Sequence, residues 1–150
     1  MSADNHENLI HLIYISSSKQ VLPQSEIDGI LQSSRRNNGE MDVSGMLLYA
    51  DNTFFQVLEG ELSKVEALYD KISADPRHLR VMKLIQEPIE ERDFADWTMG
   101  FSGMTRQQLN QIDGLNDFFL SGESLISLDE GRARKLLLAF KDGAWRQQLR

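Results

Sequence analysis

Tyr14 and Gln56 are the residues whose types and positions first suggest chemistry. Each interrupts a strand-like apolar run: Tyr14 follows Ile10 and Leu12 at alternate positions, and Gln56 stands between Phe54 and Leu58. Alternate residues of a strand share a face, so a phenol and a primary amide both sit on otherwise apolar faces. If the two strands turn those faces to the same layer, both groups lie in a dry place and must be hydrogen-bonded. An amide carries a donor and an acceptor on one group, so Gln56 could partner the phenol of Tyr14. The same residues also describe a satisfied core pair, and patterning alone favours that reading.

Other candidates are weaker on the residues alone. Asn38 has the amide donor and acceptor that suit a planar heterocycle, and it equally suits the end of a helix. Arg35 and Arg36 read as solvated arginines on a last helical turn, favourable to the helix dipole, ahead of a phosphate site. Trp97 and Met99 share a strand face and read as core filler. His6, His11 and His78 have no second ligand at helical or strand spacing, so no metal site is expected. There is no G-x-S-x-G elbow, dinucleotide fingerprint or Walker loop. The chain has no cysteine, which excludes disulfides, thiolate metal sites, cysteine nucleophiles and thioether-linked cofactors.

The elements that must position these residues follow from periodicity. Leu9 to Ile15 reads as a strand, with Ile10, Leu12 and Tyr14 on one face and Leu9, His11, Ile13 and Ile15 on the other. Both faces are largely apolar, so the strand needs cover on both sides. Ile27, Ile30, Leu31 and Ser34 form a helical stripe over Ser25 to Arg36, with Asn37-Asn38-Gly39 as the stop. Val43 to Tyr49 and Thr53 to Glu59 make a hairpin around Asp51-Asn52. Ser63 to Glu66 reads as a capping box, opening a helix with Val65, Leu68, Tyr69 and Ile72 on its stripe. Asp75-Pro76 ends it.

Strands at Val81 to Gln86 and Trp97 to Phe101 follow, separated by a charged connection from Glu90 to Asp96. A short polar helix over Thr105 to Ile112 comes next. A second capping box at Ser127 to Glu130 opens a last helix, with Ala133, Leu136, Leu137 and Phe140 on one stripe and Gly143 as its stop. The expected fold is α+β: a ferredoxin-like β-α-β-β-α-β-β sheet with two helices on one face. A C-terminal helical extension is the natural cover for the other.

Length and charge agree with one core plus an extension. A chain of 150 residues is the size of one ordinary domain. The net charge is −7, of which residues 1–103 carry −8 and residues 104–150 carry +1. We expect a core at residues 1–104 and a helical extension at residues 105–150. An acidic body repels nucleic acid and anionic lipid, so neither is an expected partner. The N-terminus lacks the pattern of a signal peptide and no apolar run approaches the ~20 residues that span a bilayer. A cytoplasmic protein is expected.

Taken together, six segments resemble a BLUF domain, a blue-light sensor that holds FAD without covalent attachment. They are residues 12–16 (LIYIS), 33–38 (SSRRNN), 43–47 (VSGML), 54–60 (FFQVLEG), 75–78 (DPRH) and 92–99 (RDFADWTM). The resemblance covers about Leu9 to Met104. It implies that Tyr14 is the electron donor to the excited flavin and that Gln56 bridges the tyrosine and the flavin ring. By the same resemblance Asn38 holds the polar edge of the ring, Asn37 contacts it, and Ser34 lies near Gln56. Ile30 and Leu31 would pack on the ring, and Arg77 and His78 would sit near the ribityl and phosphate side. Trp97 and Met99 would carry the signal on the last strand.

The resemblance further implies a light sensor rather than an enzyme, with FAD as cofactor and FMN as the alternative. With no room beside the core for a cyclase or phosphodiesterase domain, the chain looks like the short BLUF proteins. It would form a homo-oligomer and signal to a separate protein partner. Leu115, Phe118, Phe119 and Leu120 would cover the sheet, ahead of serving as a contact surface. Two rival readings remain from the residues: a small flavoenzyme and a cofactor-free interaction module of the same fold.

Overall fold

Alternation in the strands and a 3.6-residue period in the helices build one sheet with helices on both faces. A computed structural model describes residues 8–18, 22–50, 52–76, 78–95, 100–103 and 129–142. In chain order the elements are β1 (Leu9–Ser17), α1 (Gln24–Met41), β2 (Ser44–Ala50), β3 (Thr53–Glu61), α2 (Leu62–Ser73), β4 (Leu79–Pro88), β5 (Gly100–Gly103) and α3 (Glu130–Asp142). The strands lie in the order β4-β1-β3-β2-β5. All neighbours are antiparallel except β2 and β5, which run parallel. This is the ferredoxin-like arrangement with the extra strand that the periodicity implies.

The two faces of β1 separate as their alternation requires. Ile10, Leu12 and Tyr14 join Phe54 and Leu58 of β3 in a core with Ile27, Ile30 and Leu31 of α1 and Val65 and Leu68 of α2. Ile13 and Ile15 join Met46, Leu48, Phe55, Val57 and Phe94 in a second core, closed by Ala133, Leu136 and Leu137 of α3. The C-terminal helix therefore covers the face that α1 and α2 leave bare. Phe140, expected on the same stripe, has a side chain outside the described set. So do the segment with Leu115, Phe118, Phe119 and Leu120, the expected helix over 105–112, and the boundary at 104/105.

A polar tether joins α3 to the sheet. Arg134 donates two hydrogen bonds to Glu87 of β4, at 2.9 and 2.8 Å. Glu87 also accepts from the His11 Nε2 of β1 at 2.8 Å. These donors, Arg134 foremost, hold the Glu87 carboxyl down at about 2.

Two local expectations are corrected. The first helix does not stop at Asn37-Asn38-Gly39 but runs on to Met41. It ends at Asp42, which adopts the left-handed conformation (φ 57°) and donates its N–H to the Asn38 and Gly39 carbonyls. Asparagine and glycine cost only up to about 1 kcal/mol each inside a helix, and burial of Asn38 against the sheet overrides that preference. The second helix is capped by Glu61, one residue before its start, rather than by Ser63. The Glu61 carboxylate accepts from the Ser63 N–H at 2.9 Å and from the Ser63 hydroxyl at 2.6 Å. Both side chains carry an oxygen able to cap, and β3 running through to Glu61 decides between them.

Candidate functional site

Antiparallel pairing sets Tyr14 directly opposite Gln56 in the β1–β3 ladder. Both are buried on the α1/α2 face, and the Tyr14 hydroxyl donates to Gln56 Oε1. The dry phenol–amide pair thus exists as a hydrogen-bonded unit. Burial, with lesser contributions from Tyr69 and Asp75, pushes the phenol well above its ordinary pKa of 10.0. Tyr14 is therefore neutral and its proton stays available to the amide. Its ring meets Tyr69 edge-on at 5.5 Å and His78 at 6.4 Å.

Between α1 and α2 lies a cavity of about 270 Å³. That is near the lower end of the ~300–1,000 Å³ typical of small-molecule sites. One wall is a stripe of α1 at positions i, i+3, i+4 and i+7: Ile30, Ser33, Ser34 and Asn37, with Asn38 and Arg36 beside it. The stripe is complete because α1 continues past Arg36. The other wall is the matching stripe of α2 and its exit: Leu68, Lys71, Ile72 and Asp75, with His78 beyond. Ile30 and Leu68 belong both to this cavity and to the core cluster of Tyr14. His78 is held by its Nδ1 against the Ser16 hydroxyl of β1 at 2.8 Å.

The lining suits a planar heterocycle with an anionic tail. Ile30, Leu68 and Ile72 offer apolar contact, Asn37 and Asn38 offer amide donors and acceptors, and Arg36 and Lys71 offer positive charge. Of the residues singled out from sequence, Ile30, Ser34, Asn37, Asn38 and His78 line this one cavity. Tyr14 and Gln56 lie in the core next to it. Leu31 is in that core and does not line the cavity. Arg77, Trp97 and Met99 lie outside the described residues.

The α2 wall is the part of the site the sequence does not announce: Leu68 and Ile72 stand on the apolar stripe expected of that helix, but Lys71 and Asp75, at the same helical spacing, carry no apolar signal. Arg36, expected to be solvated, also lines the cavity. Among the described residues no group of histidine, aspartate and glutamate could hold a metal, and no helix is long and apolar enough to cross a membrane.

Comparison with known proteins places the chain as a whole. The beta subunit of the photoactivated adenylate cyclase of Euglena longa is 33% identical over 118 residues, which is 78% of this chain and 14% of that protein. The blue light- and temperature-regulated antirepressor BluF of Escherichia coli (strain K12) is 35% identical over 87 residues, 58% of this chain and 22% of that one. This chain thus spans a small fraction of the length of these relatives. Among solved structures, BlsA in its ground state superimposes with a TM-score of 0.77 at 28% identity, covering 90% of this chain and 89% of that one. The dark state of the BLUF protein BlrB gives 0.64 at 32% identity, covering 89% and 99%. The model of the family described as sensors of blue light using FAD matches residues 9–100, most of the chain. This protein therefore belongs to the BLUF family of flavin-binding blue-light photosensors.

Proposed function

We propose that this chain senses blue light through FAD held between α1 and α2, and that the Tyr14–Gln56 pair converts absorption into a changed hydrogen-bond pattern. The observation that carries the proposal is the buried bond from the Tyr14 hydroxyl to Gln56 Oε1, adjoining a cavity lined with asparagine amides. Asn37 and Asn38 would hold the polar edge of the ring, Ile30, Leu68 and Ile72 its faces, and Arg36, Lys71 and His78 its charged side. Arg77 keeps the role the family resemblance assigns it. When bound, the flavin supplies visible absorption and, once excited, the oxidising power to draw an electron from a neighbouring phenol.

The residues supply the rest. Tyr14 is neutral because burial opposes its ionisation. A phenol that loses an electron becomes strongly acidic, and the acceptor already in place for its proton is Gln56 Oε1. A glutamine that has taken and returned a proton can end rotated or in its other tautomer, with donor and acceptor exchanged. The ground state is then restored with a different hydrogen bond and no net reaction, which is the behaviour of a sensor and not of an enzyme. Output would pass by way of the last strand, with Trp97 and Met99 in the role the family resemblance assigns them, and through the C-terminal helices to a separate protein partner. Two relatives are named as different outputs, a photoactivated adenylate cyclase subunit and a light- and temperature-regulated antirepressor, which supports a modular output.

The test is the visible spectrum of the chain loaded with FAD, and separately with FMN, in darkness, under blue light and after return to darkness. A small reversible red shift is expected for the native chain and none for Tyr14→Phe or Gln56→Leu. Flavin bands that ignore light and bleach with NAD(P)H would establish the flavoenzyme reading. Failure to retain either flavin would establish the interaction module.

A further inference from the structure

Glu59 is a carboxylate with no solvent-exposed surface. It lies on β3 three residues beyond Gln56, and alternation turns it to the opposite face, toward α3. Its oxygens accept three hydrogen bonds. Oε1 takes the Ser44 hydroxyl at 2.9 Å and the Phe94 N–H at 3.0 Å; Oε2 takes the Asp93 N–H at 2.6 Å. Arg92 braces the arrangement. Its guanidinium donates to the Ser44 hydroxyl at 3.0 Å, to the Glu59 carbonyl at 3.4 Å and to the Asp42 carbonyl at 2.7 Å.

Burying a carboxylate is unfavourable, and here burial raises its pKa while the Asp93, Phe94 and Ser44 donors oppose the rise. What the carboxylate provides is a fixed seat for two successive backbone N–H groups in a stretch outside any strand or helix. That stretch is the approach to β5. The seat also places Phe94, whose ring is fully buried in the same core cluster as Ala133, Leu136 and Leu137 of α3. One strand therefore carries Gln56 on its α1/α2 face and, on its other face, the group that anchors Phe94 beneath the C-terminal helix.

We infer that Glu59 is a positioning residue for signal output: it couples the Tyr14–Gln56 pair to the packing of α3 by holding residues 93 and 94 on β3. The inference rests on the light-sensing reading above. A shift of β3 at Gln56 moves the carboxylate, the carboxylate moves the Phe94 backbone, and the Phe94 ring repacks against α3. A leucine at position 59 would fill the space but could not hold the two N–H groups.

The test is amide hydrogen exchange on the full FAD-loaded chain, dark against blue light, read as the light-minus-dark difference over residues 129–142. The flavin red shift is recorded on the same samples. Glu59→Ala is expected to keep the red shift and to shrink the difference by at least about twofold. Glu59→Gln keeps an oxygen for Phe94 and Ser44 and loses the acceptor for Asp93, so it should fall between Glu59→Ala and the native chain. Ser44→Ala, which removes one donor and no backbone seat, should change the difference least. A merely structural role would alter dark and lit exchange alike and leave the difference standing. A native-sized difference in Glu59→Gln or Glu59→Ala with the red shift intact overturns the inference, and so does a native chain that shifts but shows no difference at α3. Loss of the red shift in Glu59→Gln would place the residue in the photochemical pair's own environment and overturn it too. If Glu59→Ala does not fold, Glu59→Gln decides. A native chain with no red shift sinks the light-sensing reading instead.

Discussion

The α1/α2 face of the sheet buries Tyr14, Ser16, Gln56, Asn38 and His78, and leaves a cavity beside them. The α3 face of the same strands buries Ile13, Ile15, Met46, Leu48, Phe55, Val57 and Phe94 against Ala133 and Leu136. Among the described residues its polar groups gather at the ends of the strands: Glu59 with Ser44 and Arg92 in one place, His11 with Glu87 and Arg134 in another. Both faces have the same backbone and the same alternation, so the difference lies in what each face gives up. On one side, among the described residues, apolar side chains fill the core positions and polar groups act as fasteners at the strand ends. On the other, polar groups occupy core positions, each needing a partner, and the helices stand apart enough to admit a ligand. A protein accepts that loss of packing where a site is required.

If this contrast is right, core deletions on the two faces should differ most. Leu136→Ala, on the α3 side, should lower stability by about 2–5 kcal/mol in urea denaturation, with the dark flavin spectrum unchanged. Ile72→Ala, on the cavity wall and only half-buried, should cost about 1 kcal/mol and weaken flavin retention. Equal costs would erase the distinction. Gly45 tests the sheet both faces share: a Cβ there would lie 1.9 Å from the Val57 carbonyl oxygen of β3. Gly45→Ala should cost about 1–3 kcal/mol and disturb both faces together, seen as lower thermal stability with weaker flavin binding. Gly29 on α1 has nothing within 4 Å of its Cβ position, so Gly29→Ala should be neutral to stabilising.

Tyr14→Phe narrows the contrast to one bond. It leaves the Gln56 oxygen without its tyrosine donor, for a loss of about 1 kcal/mol by denaturation, and it should abolish the light-induced red shift. A variant that kept the shift would show that the pair is only core. The smallest effect is expected at the α3 tether. The Glu87 carboxyl is depressed to about 2 from an ordinary 4.5, chiefly by Arg134. A depressed carboxyl stabilises the fold above its ordinary pKa, and that contribution drains away as pH falls from 4.5 toward 2. Glu87 is partly exposed, so the gain should be about 0.5–1 kcal/mol. The stability gap between the native chain and Glu87→Gln should close over that range. A gap indifferent to pH would mean that apolar packing alone seats α3.

Much of this is legible in the sequence, because burial on both sides leaves a mark on a strand. Leu9 to Ile15 is apolar at every position except His11 and Tyr14, and only helices above and below can satisfy such a run. The pairing of Tyr14 with Gln56 was readable as a condition on two faces, and the β1–β3 register meets it. The end of α1 was not readable, because Asn37-Asn38-Gly39 has the local chemistry of a stop and only burial of Asn38 in the tertiary fold carries the helix through. The α2 wall was hidden for a related reason. Lys71 and Asp75 look like solvated charges until a second helix stands across the gap. Glu59 gave no local signal, since a glutamate near a strand end ordinarily points into water.

The register that sets Tyr14 against Gln56 also sets a time order. β2 and β3 are joined by a tight turn with Asn52 in the left-handed region (φ 59°), so that hairpin can close early and locally. Tyr14 is 42 residues from Gln56, and its strand must arrive across the whole of α1. Distant pairings of this kind form late, because their loop entropy is lost before their contacts are gained. The phenol–amide pair therefore forms after the hairpin and before β4, whose partners in β1 lie farther away still in the chain. A ligand that needs that pair binds only chains in which β1 has joined β3, and favours them by mass action. On the light-sensing proposal, bound flavin would count the chains that have made that join.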